Sequence, residues 1–301
     1  MKQPPRHNEI RFTQNFLRDP ALVKKLVSRA PIQLGETVLE IGPGKGIITK
    51  ALAEAVGKEG QVVAVELDAT LASGLNSVFA LTPQVRIIAE DILAFDRAAL
   101  PINYKVFANI PFNITSTLLE YLFDADVGPS IAHLILQTET LLGIGEHNVN
   151  LETFKSLMIK PLYKITIAYH FQRSDFRPPP SVDTALFEFQ RRSTPLVEPT
   201  NYTLYKDFLA FISKDRAGEG AWLRVLSRQQ ISKLAEQSGI VIGRGIKMQS
   251  ADSIAAAFRT FAAGSKTKHQ IVSGAMAGLR TEQARRENIN RAGGHRRPRR
   301  E

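Results

Sequence analysis

The 301-residue sequence contains no cysteine, which excludes disulfide bonds and thiolate metal sites and allows a reducing compartment. It has no run of about 18 apolar residues, the length that a membrane helix needs. Its first ten residues are polar, so we expect no secretory signal. The six histidines are scattered without metal-ligand spacing. These absences predict a cytoplasmic protein with no bound metal and no membrane partner.

Positive charge is concentrated near the end of the chain. The formal net charge is +10, and ten Lys or Arg against three Glu follow Ser265. A basic tail on a nearly balanced body indicates either a polyanionic partner or a solubilising tail, and charge alone does not separate the two. Because apolar residues are sparse there, the pattern predicts no fixed structure for residues 265–301 when free.

Short apolar runs alternate with helical patterns over the first part of the chain. The predicted strands are Thr37–Ile41, Gln61–Val65, Val85–Ala89, Lys105–Ala108 and Ile131–Gln137. Runs without polar alternation are typical of parallel strands that are covered on both faces. Two later segments have strand patterns and are predicted to form an antiparallel pair at the edge of the sheet. They are Leu162–Phe171 and Val182–Phe189. Together with the earlier strands they indicate a doubly wound α/β fold.

The pattern becomes helical after residue 192. Helices are predicted over Tyr202–Ser213, after a capping box at Ser227 and Gln230, and near Ser250–Ala262. The predicted boundaries are therefore an α/β domain over 1–192, a small helical domain over 193–264 and a basic tail over 265–301.

A glycine-rich turn follows the first strand, at Glu40-Ile41-Gly42-Pro43-Gly44-Lys45-Gly46. Its spacing differs from the G-x-G-x-x-G that seats a pyrophosphate, and Glu40 suits a cationic group such as the methionine part of S-adenosylmethionine. Glu66 can accept from ribose hydroxyls and Asp91 from an adenine amino group at the ends of the next two strands. Taken singly, such a turn is more often structural, and such an aspartate is more often a helix cap. In this order they favour a nucleoside cofactor.

The fourth strand ends in Asn109-Ile110-Pro111-Phe112. The amino nitrogen of adenine is a poor nucleophile because its lone pair is delocalised into the ring. The Asn109 side-chain oxygen and the carbonyl of Ile110 or Pro111 can accept the two amino hydrogens and aim the lone pair at a methyl group. Phe112 can stack on the base, and Pro111 fixes the backbone. The alternative is a plain turn with a buried Phe.

Two further segments are Phe12-Thr13-Gln14-Asn15-Phe16-Leu17 and Phe176-Arg177-Pro178-Pro179-Pro180-Ser181-Val182-Asp183. With the glycine turn, the two acidic strand ends and Asn109–Thr115, they resemble the ribosomal RNA adenine dimethylase family over residues 10–192, and more loosely to about 264. The resemblance implies a Rossmann-like methyltransferase sheet of seven strands and a helical domain that binds RNA. It also implies a monomeric enzyme that methylates adenine N6 in rRNA with S-adenosylmethionine.

The resemblance also assigns roles to individual residues. The expected cofactor contacts are Asn15, Leu17, Glu40, Gly42, Gly44, Glu66, Asp91 and Asn109. The expected catalytic residues are Asn109, Pro111 and Phe112. Phe112 departs from the commoner tyrosine of the family, keeping the aromatic face and losing the hydroxyl.

Two branches of the family compete. Four features are similar to the erythromycin-resistance methylases, which act on 23S rRNA. They are Lys45, the Ile110 of Asn-Ile-Pro, the short helical domain and the Arg-rich tail. Gly42-Pro43-Gly44 and Asn113-Ile114-Thr115 are similar to the housekeeping dimethylases of 16S rRNA. We expect a 23S target, which implies macrolide–lincosamide–streptogramin B resistance, with the 16S target as the alternative. A small-molecule or protein methyltransferase and a non-enzymatic RNA-binding factor fit the basic charge and the complete site less well.

Overall fold

The computed structural model describes residues 15–123, 125–144, 150–214, 219–241, 243 and 245–293, with backbone alone for 143–144, 150–151 and 286–293. It forms two compact units, residues 1–142 with 162–194, and residues 143–161 with 195–301. Within the described ranges, every helix is too short or too polar to cross a bilayer.

The strands, in chain order, are β1 (Phe16–Leu17), β2 (Thr37–Ile41), β3 (Gln61–Glu66), β4 (Val85–Ala89), β5 (Lys105–Asn109), β6 (Ile131–Gln137), β7 (Leu142–Ile144), β8 (Asn150–Glu152), β9 (Tyr163–His170), β10 (Phe176–Arg177) and β11 (Thr184–Arg191). Seven of them form one sheet in the order β4-β3-β2-β5-β6-β11-β9. The strands from β4 to β6 in this order are parallel, and β11 is antiparallel to β6 and β9. The predicted doubly wound sheet with an antiparallel edge pair is confirmed.

The first unit has four α-helices among its described residues, and they start and end where local sequence signals place them. They are α1 (Pro20–Arg29), α2 (Ile47–Val56), α3 (Ala69–Val78) and α4 (Thr115–Leu122). The Asp19 and Asp68 carboxylates accept the first N–H groups of α1 and α3. Helices α1 and α2 bury their apolar faces against Val38, Val62 and Phe107 of the sheet.

The second unit is helical. Its helices are α5 (Phe154–Ile159), α6 (Tyr202–Ser213), α7 (Gly220–Val225), α8 (Arg228–Ser238), α9 (Ala251–Ala262), α10 (Lys266–Val272) and α11 (Ala275–Gly293). Helix α8 begins with the predicted capping box of Ser227 and Gln230 and ends at Gly239 in the left-handed conformation. The aromatic core of this second unit consists of Phe208 from α6 with Phe258 and Phe261 from α9.

The boundaries of the units differ from the predicted 1–192 and 193–264. Residues 143–161 interrupt the α/β domain in sequence but belong to the helical unit. The hydroxyls of Tyr202 and Tyr205 in α6 donate to the carbonyls of Met158 and Leu157 in α5. Because these bonds join segments more than 40 positions apart, local pattern gave no sign of them.

The structure also differs from the expectation of an unstructured tail, since α10 and α11 occupy residues 266–272 and 275–293. Val272, Ala275 and Met276 are buried. The carboxylate of Asp207 in α6 accepts from the N–H groups of Gly274 and Met276 at 3.0 and 2.9 Å. A few well-placed apolar residues and a cap supplied by another helix order this segment, although its average composition is polar.

Candidate active site

The glycine turn after β2 adopts backbone conformations that L side chains rarely reach. Gly42 and Gly44 have φ of +65° and +56°. A Cβ on Gly44 would meet the ring of Phe16 at 2.8 Å, whereas a Cβ on Gly42 would meet nothing within 4 Å. The turn is therefore closed on the Phe16 side and leaves open space beside Gly42, where a ligand can approach the backbone.

Glu66 is fixed at the end of β3 and is only 3% exposed. One carboxylate oxygen accepts from the Gly44 N–H at 3.1 Å, and the other accepts from the Asp68 N–H at 3.0 Å. Each carboxylate oxygen has a further acceptor position. The geometry thus fits the predicted role of accepting two ribose hydroxyls.

Glu40 is 1% exposed. Among the described residues neither its carboxylate oxygens nor the hydroxyl of neighbouring Thr49 makes a hydrogen bond. Burial raises the pKa of the Glu40 carboxyl to about 8. The nearby hydroxyl and N–H dipoles of Thr49 limit this rise, and the negative charge of Glu66 adds to it. This carboxyl is therefore mostly protonated at neutral pH unless a cation lies beside it, which refines the expectation that a carboxylate at this position suits a cationic group.

Asp91 lies after β4 and is exposed. Its Oδ1 accepts from the Leu93 N–H at 2.9 Å, and its carbonyl accepts from the N–H groups of Ala94 and Phe95. It therefore caps the following turn, as an isolated strand-end aspartate usually does. The second carboxylate oxygen remains available within the described residues, so the cap does not exclude an adenine contact.

The loop that follows β5, from Asn109 to Phe112, is positioned by a segment far away in sequence. The side-chain nitrogen of Asn109 donates to the Asn15 carbonyl at 2.7 Å. The side-chain oxygen, Oδ1, is therefore left to accept from a ligand. The Pro111 carbonyl already accepts from Ile114 N–H and Thr115 Oγ1 at 3.2 and 3.3 Å. Of the two carbonyls that the sequence left open, that of Ile110 is therefore the one available to an amino hydrogen.

One narrow cleft brings together five of the ten predicted site residues, whereas Glu40, Gly44, Glu66 and Asp91 are not part of its lining. It is lined by Asn15, Phe16, Gly42, Asn109, Ile110, Pro111 and Phe112. Phe112 is half-buried, whereas the alternative of a plain structural turn predicted a buried Phe. Leu17 does not share this arrangement, because its side chain is in the hydrophobic core opposite Phe176. Any contact of Leu17 with a cofactor would be through its backbone.

Three apolar residues near the site were not predicted. Phe16 covers Gly44, and Leu67 and Leu93, one and two positions after the acids at the ends of β3 and β4, are 48% and 36% exposed. Exposed leucines beside two polar strand ends could pack on the faces of a nucleoside base. The signal that could have identified them is a large apolar residue just after each acidic one.

Comparisons with known proteins agree on the family. The family model described as ribosomal RNA adenine dimethylase matches residues 6–263. A curated relative, ribosomal RNA small subunit methyltransferase A from Streptococcus thermophilus, is 34% identical over 214 residues, 67% of this chain and 70% of the relative. The protein of that name from Streptococcus agalactiae is 33% identical over the same shares.

Two solved structures share the fold. The 23S rRNA methyltransferase ErmE aligns with a TM-score of 0.70 and 24% identity over 82% of this chain and 100% of that chain. A dimethyladenosine transferase from Plasmodium falciparum aligns with a TM-score of 0.61 and 17% identity over 82% and 97%. At these identities the likeness concerns the fold and not the target.

Proposed function

We propose that this chain, which belongs to the ribosomal RNA adenine dimethylase family, methylates the N6 of an adenine in small-subunit (16S) rRNA. Membership of the family makes it an S-adenosylmethionine-dependent rRNA adenine methyltransferase. The choice of subunit is the proposed part. It is supported by the names of the sequence relatives, which refer to the small subunit.

This proposal reverses the order of the two targets expected from the sequence. The 23S target rested on features such as Lys45 and the Arg-rich tail, and the likeness to ErmE adds only the fold. The names of the curated relatives favour the 16S alternative. The 23S target remains a second candidate because of Lys45, which is exposed in the glycine turn, and because of the basic residues after Ser265.

The observation that carries the chemistry is the orientation of Asn109. Its amide nitrogen is held by the Asn15 carbonyl, so its Oδ1 and the Ile110 carbonyl form a pair of acceptors at the end of β5. A base stacked on Phe112 can place its two amino hydrogens on these acceptors. The nitrogen lone pair is then directed at the position of the methyl donor, whose S–C bond would break as the N–C bond forms, and the amino proton would leave to solvent water.

The residues of the first unit fit S-adenosylmethionine. Bound there, it supplies a sulfonium methyl group as the electrophile. Glu66 would hold its ribose hydroxyls, and the open space beside Gly42 would admit its methionine part. Glu40, whose buried carboxylate oxygens make no hydrogen bond among the described residues, can become negatively charged when a cationic group of the cofactor lies beside it.

The test is methylation of purified small and large ribosomal subunits that lack the modification, followed by mass mapping of both rRNAs. We expect N6-methyladenine in 16S rRNA with the wild-type chain and none with Asn109→Ala. Methylation confined to 23S rRNA would overturn the proposed target and leave the family assignment intact. Methylation of neither rRNA would contradict the proposed function as a whole.

A further inference from the structure

The two-stranded ribbon of β1 and β10 has two different faces. Leu17 lies opposite Phe176, and both side chains are buried in the core of the first unit. Phe16 lies opposite Arg177, and residues directly opposite in an antiparallel pair share a face. Because Phe16 lines the cleft and its ring lies over Gly44 of the glycine turn, Arg177 leaves the ribbon on the side of the cleft.

Arg18 extends this arrangement by one step. Its N–H donates to the Asp175 carbonyl at 3.0 Å, which continues the ladder beyond β1. Side chains alternate along an extended strand, so Arg18 shares the face of Phe16. Diagonal neighbours on one face of a ribbon are roughly 7 Å apart. Arg18 and Arg177 therefore form an arginine pair beside the cleft, and both are exposed.

The charges of this arginine pair are not neutralised by an ion pair within the described residues. The neighbouring acids already have other partners. Asp19 accepts from the Ala21 N–H at the start of α1, and Asp175 accepts from the Gln172 N–H. Two exposed guanidinium groups thus face the entrance of a cleft whose substrate is a polyanion.

An adenine within folded RNA has to leave its stack before its amino group can reach Asn109, and unstacking costs a few kcal/mol. A protein can offset this cost by holding the backbone on both sides of the extruded nucleotide. The planar guanidinium group is suited to phosphate because it can donate two parallel hydrogen bonds. We propose that Arg18 and Arg177 bind the phosphates that flank the target adenosine and so hold its base in the cleft.

This inference rests on the proposed function, in that the substrate is an rRNA adenine, but it holds for either subunit.

The first experiment measures methyl transfer by the full-length chain to the ribosomal subunit that the wild type methylates. Arg18→Gln and Arg177→Gln should each lower kcat/KM for RNA on the order of tenfold, mostly through KM. Arg177→Lys should fall between, since it keeps the charge and loses the fork. Arg86→Gln, an exposed arginine on the edge strand β4, is the matched control and should stay close to wild type.

The second experiment replaces the two phosphates flanking the target adenine, in a short RNA hairpin, by neutral methylphosphonates. Wild-type affinity should fall on the order of tenfold, whereas the double variant of Arg18 and Arg177 should lose little more than it has already lost. Equal sensitivity of the wild type and the double variant would overturn the inference.

A third measurement, calorimetry with S-adenosylhomocysteine, separates RNA binding from cofactor binding. The affinity should be unchanged in both single variants. An equal loss of cofactor affinity would mean that the pair binds the cofactor carboxylate and would contradict the inference. Full kcat/KM in the variants of an active enzyme would refute this inference alone, whereas an inactive wild type would refute the proposed function.

Discussion

The two halves of the active-site edge are held together in different ways. On the side of β2 to β4, Glu66 is fixed by Gly44 and Asp68, which are within 22 positions of it. On the side of β5, Asn109 is oriented by Asn15, which is 94 positions away. The first half is built inside one local β-α-β unit, whereas the second half forms only when distant segments meet.

This difference has a functional consequence. In the proposed function the first half binds the cofactor and the second half binds the target base, so they are called the cofactor half and the base half. Because Glu66 of the cofactor half is held by local contacts, variants in the base half should leave it intact. The base half depends on Asn15 reaching the end of β5, so it should tolerate change poorly. Variants in the two halves should therefore separate cofactor affinity from methyl transfer, and the following experiments test that separation.

The largest effect is expected for Asn109→Ala. It removes the acceptor that, in the proposed mechanism, acts on the amino group in the transition state, so the single-turnover rate should fall by about 10²–10³-fold. Affinity for S-adenosylhomocysteine, measured by calorimetry, should change little. Asn103→Ala, at the opposite end of β5 and exposed, is the control and should keep the wild-type rate. A normal rate in the Asn109 variant would contradict the mechanism, and loss of cofactor affinity alone would erase the difference between the two halves.

The second prediction concerns the pH dependence of stability and Glu40. Its folded pKa of about 8 lies above its ordinary value of 4.5, so between these values the folded chain holds a proton that the unfolded chain has released. The contribution of this group is present below pH 4.5 and is lost as the pH rises toward 8. Between pH 5 and 7.5 the loss should amount to about 3 kcal/mol.

Denaturant unfolding at a series of pH values, without cofactor, measures this loss. Glu40→Gln has the shape of the protonated side chain but no titration, so its free energy of unfolding should decline less with pH than that of the wild type. Parallel pH profiles for the two chains would mean that Glu40 is charged in the folded protein. The cofactor half would then need a cation or water to satisfy that carboxylate.

A smaller effect is expected for Asp91. In the proposed site Asp91 is a charged acceptor for the adenine amino group of the cofactor. Asp91→Ala should therefore weaken S-adenosylmethionine binding by about 1.5–3 kcal/mol, toward the lower limit because the side chain is exposed. Asp91→Asn can still accept from the Leu93 N–H, so it separates the cap from the ligand contact. Unchanged affinity in both variants, measured by calorimetry, would leave Asp91 as a cap and remove it from the site.

Local signals predicted most of the fold. The caps that start or end helices involve residues only a few positions apart, so they can be predicted from the sequence alone. Examples are Asp68 at the start of α3, Gly57 after α2 and the capping box of Ser227 and Gln230. The acids at the ends of β3 and β4 were also predictable. Parallel strands bring their carboxyl ends to one edge of a sheet, so each strand that was identified placed its acid automatically.

The remaining features depend on contacts between distant residues. The sequence left the Ile110 and Pro111 carbonyls equivalent, and only the start of α4 shows that Pro111 is already occupied. The bond from Asn109 to Asn15 and the shared face of Phe16 and Arg177 are likewise consequences of folding. In α10 and α11 composition was misleading, because Asp207 of another helix supplies the cap that the segment itself lacks.

The smallest effect concerns RNA affinity outside both halves of the cleft. A chain that ends at Gly293 lacks four arginines and one glutamate of the basic tail and keeps every described helix. It should methylate the same adenine, bind RNA several-fold more weakly at low salt, and show a shallower dependence of log affinity on log salt, by about 0.7–0.9 for each phosphate that the shortened tail no longer neutralises. Binding by fluorescence anisotropy at several salt concentrations measures both quantities.

A chain that ends at Gly264 provides the contrasting case. It also removes α10 and α11, and with them the buried side chains of Val272, Ala275 and Met276, so the second unit should unfold at a lower temperature as well as bind RNA more weakly. Because the tail has few aromatic residues to stack on bases, neither truncation should move the methylated position. A shift of the methylated adenine in the Gly293 chain, whose described structure is intact, would show that the tail selects the target. Specificity would then no longer belong to the base half of the cleft alone.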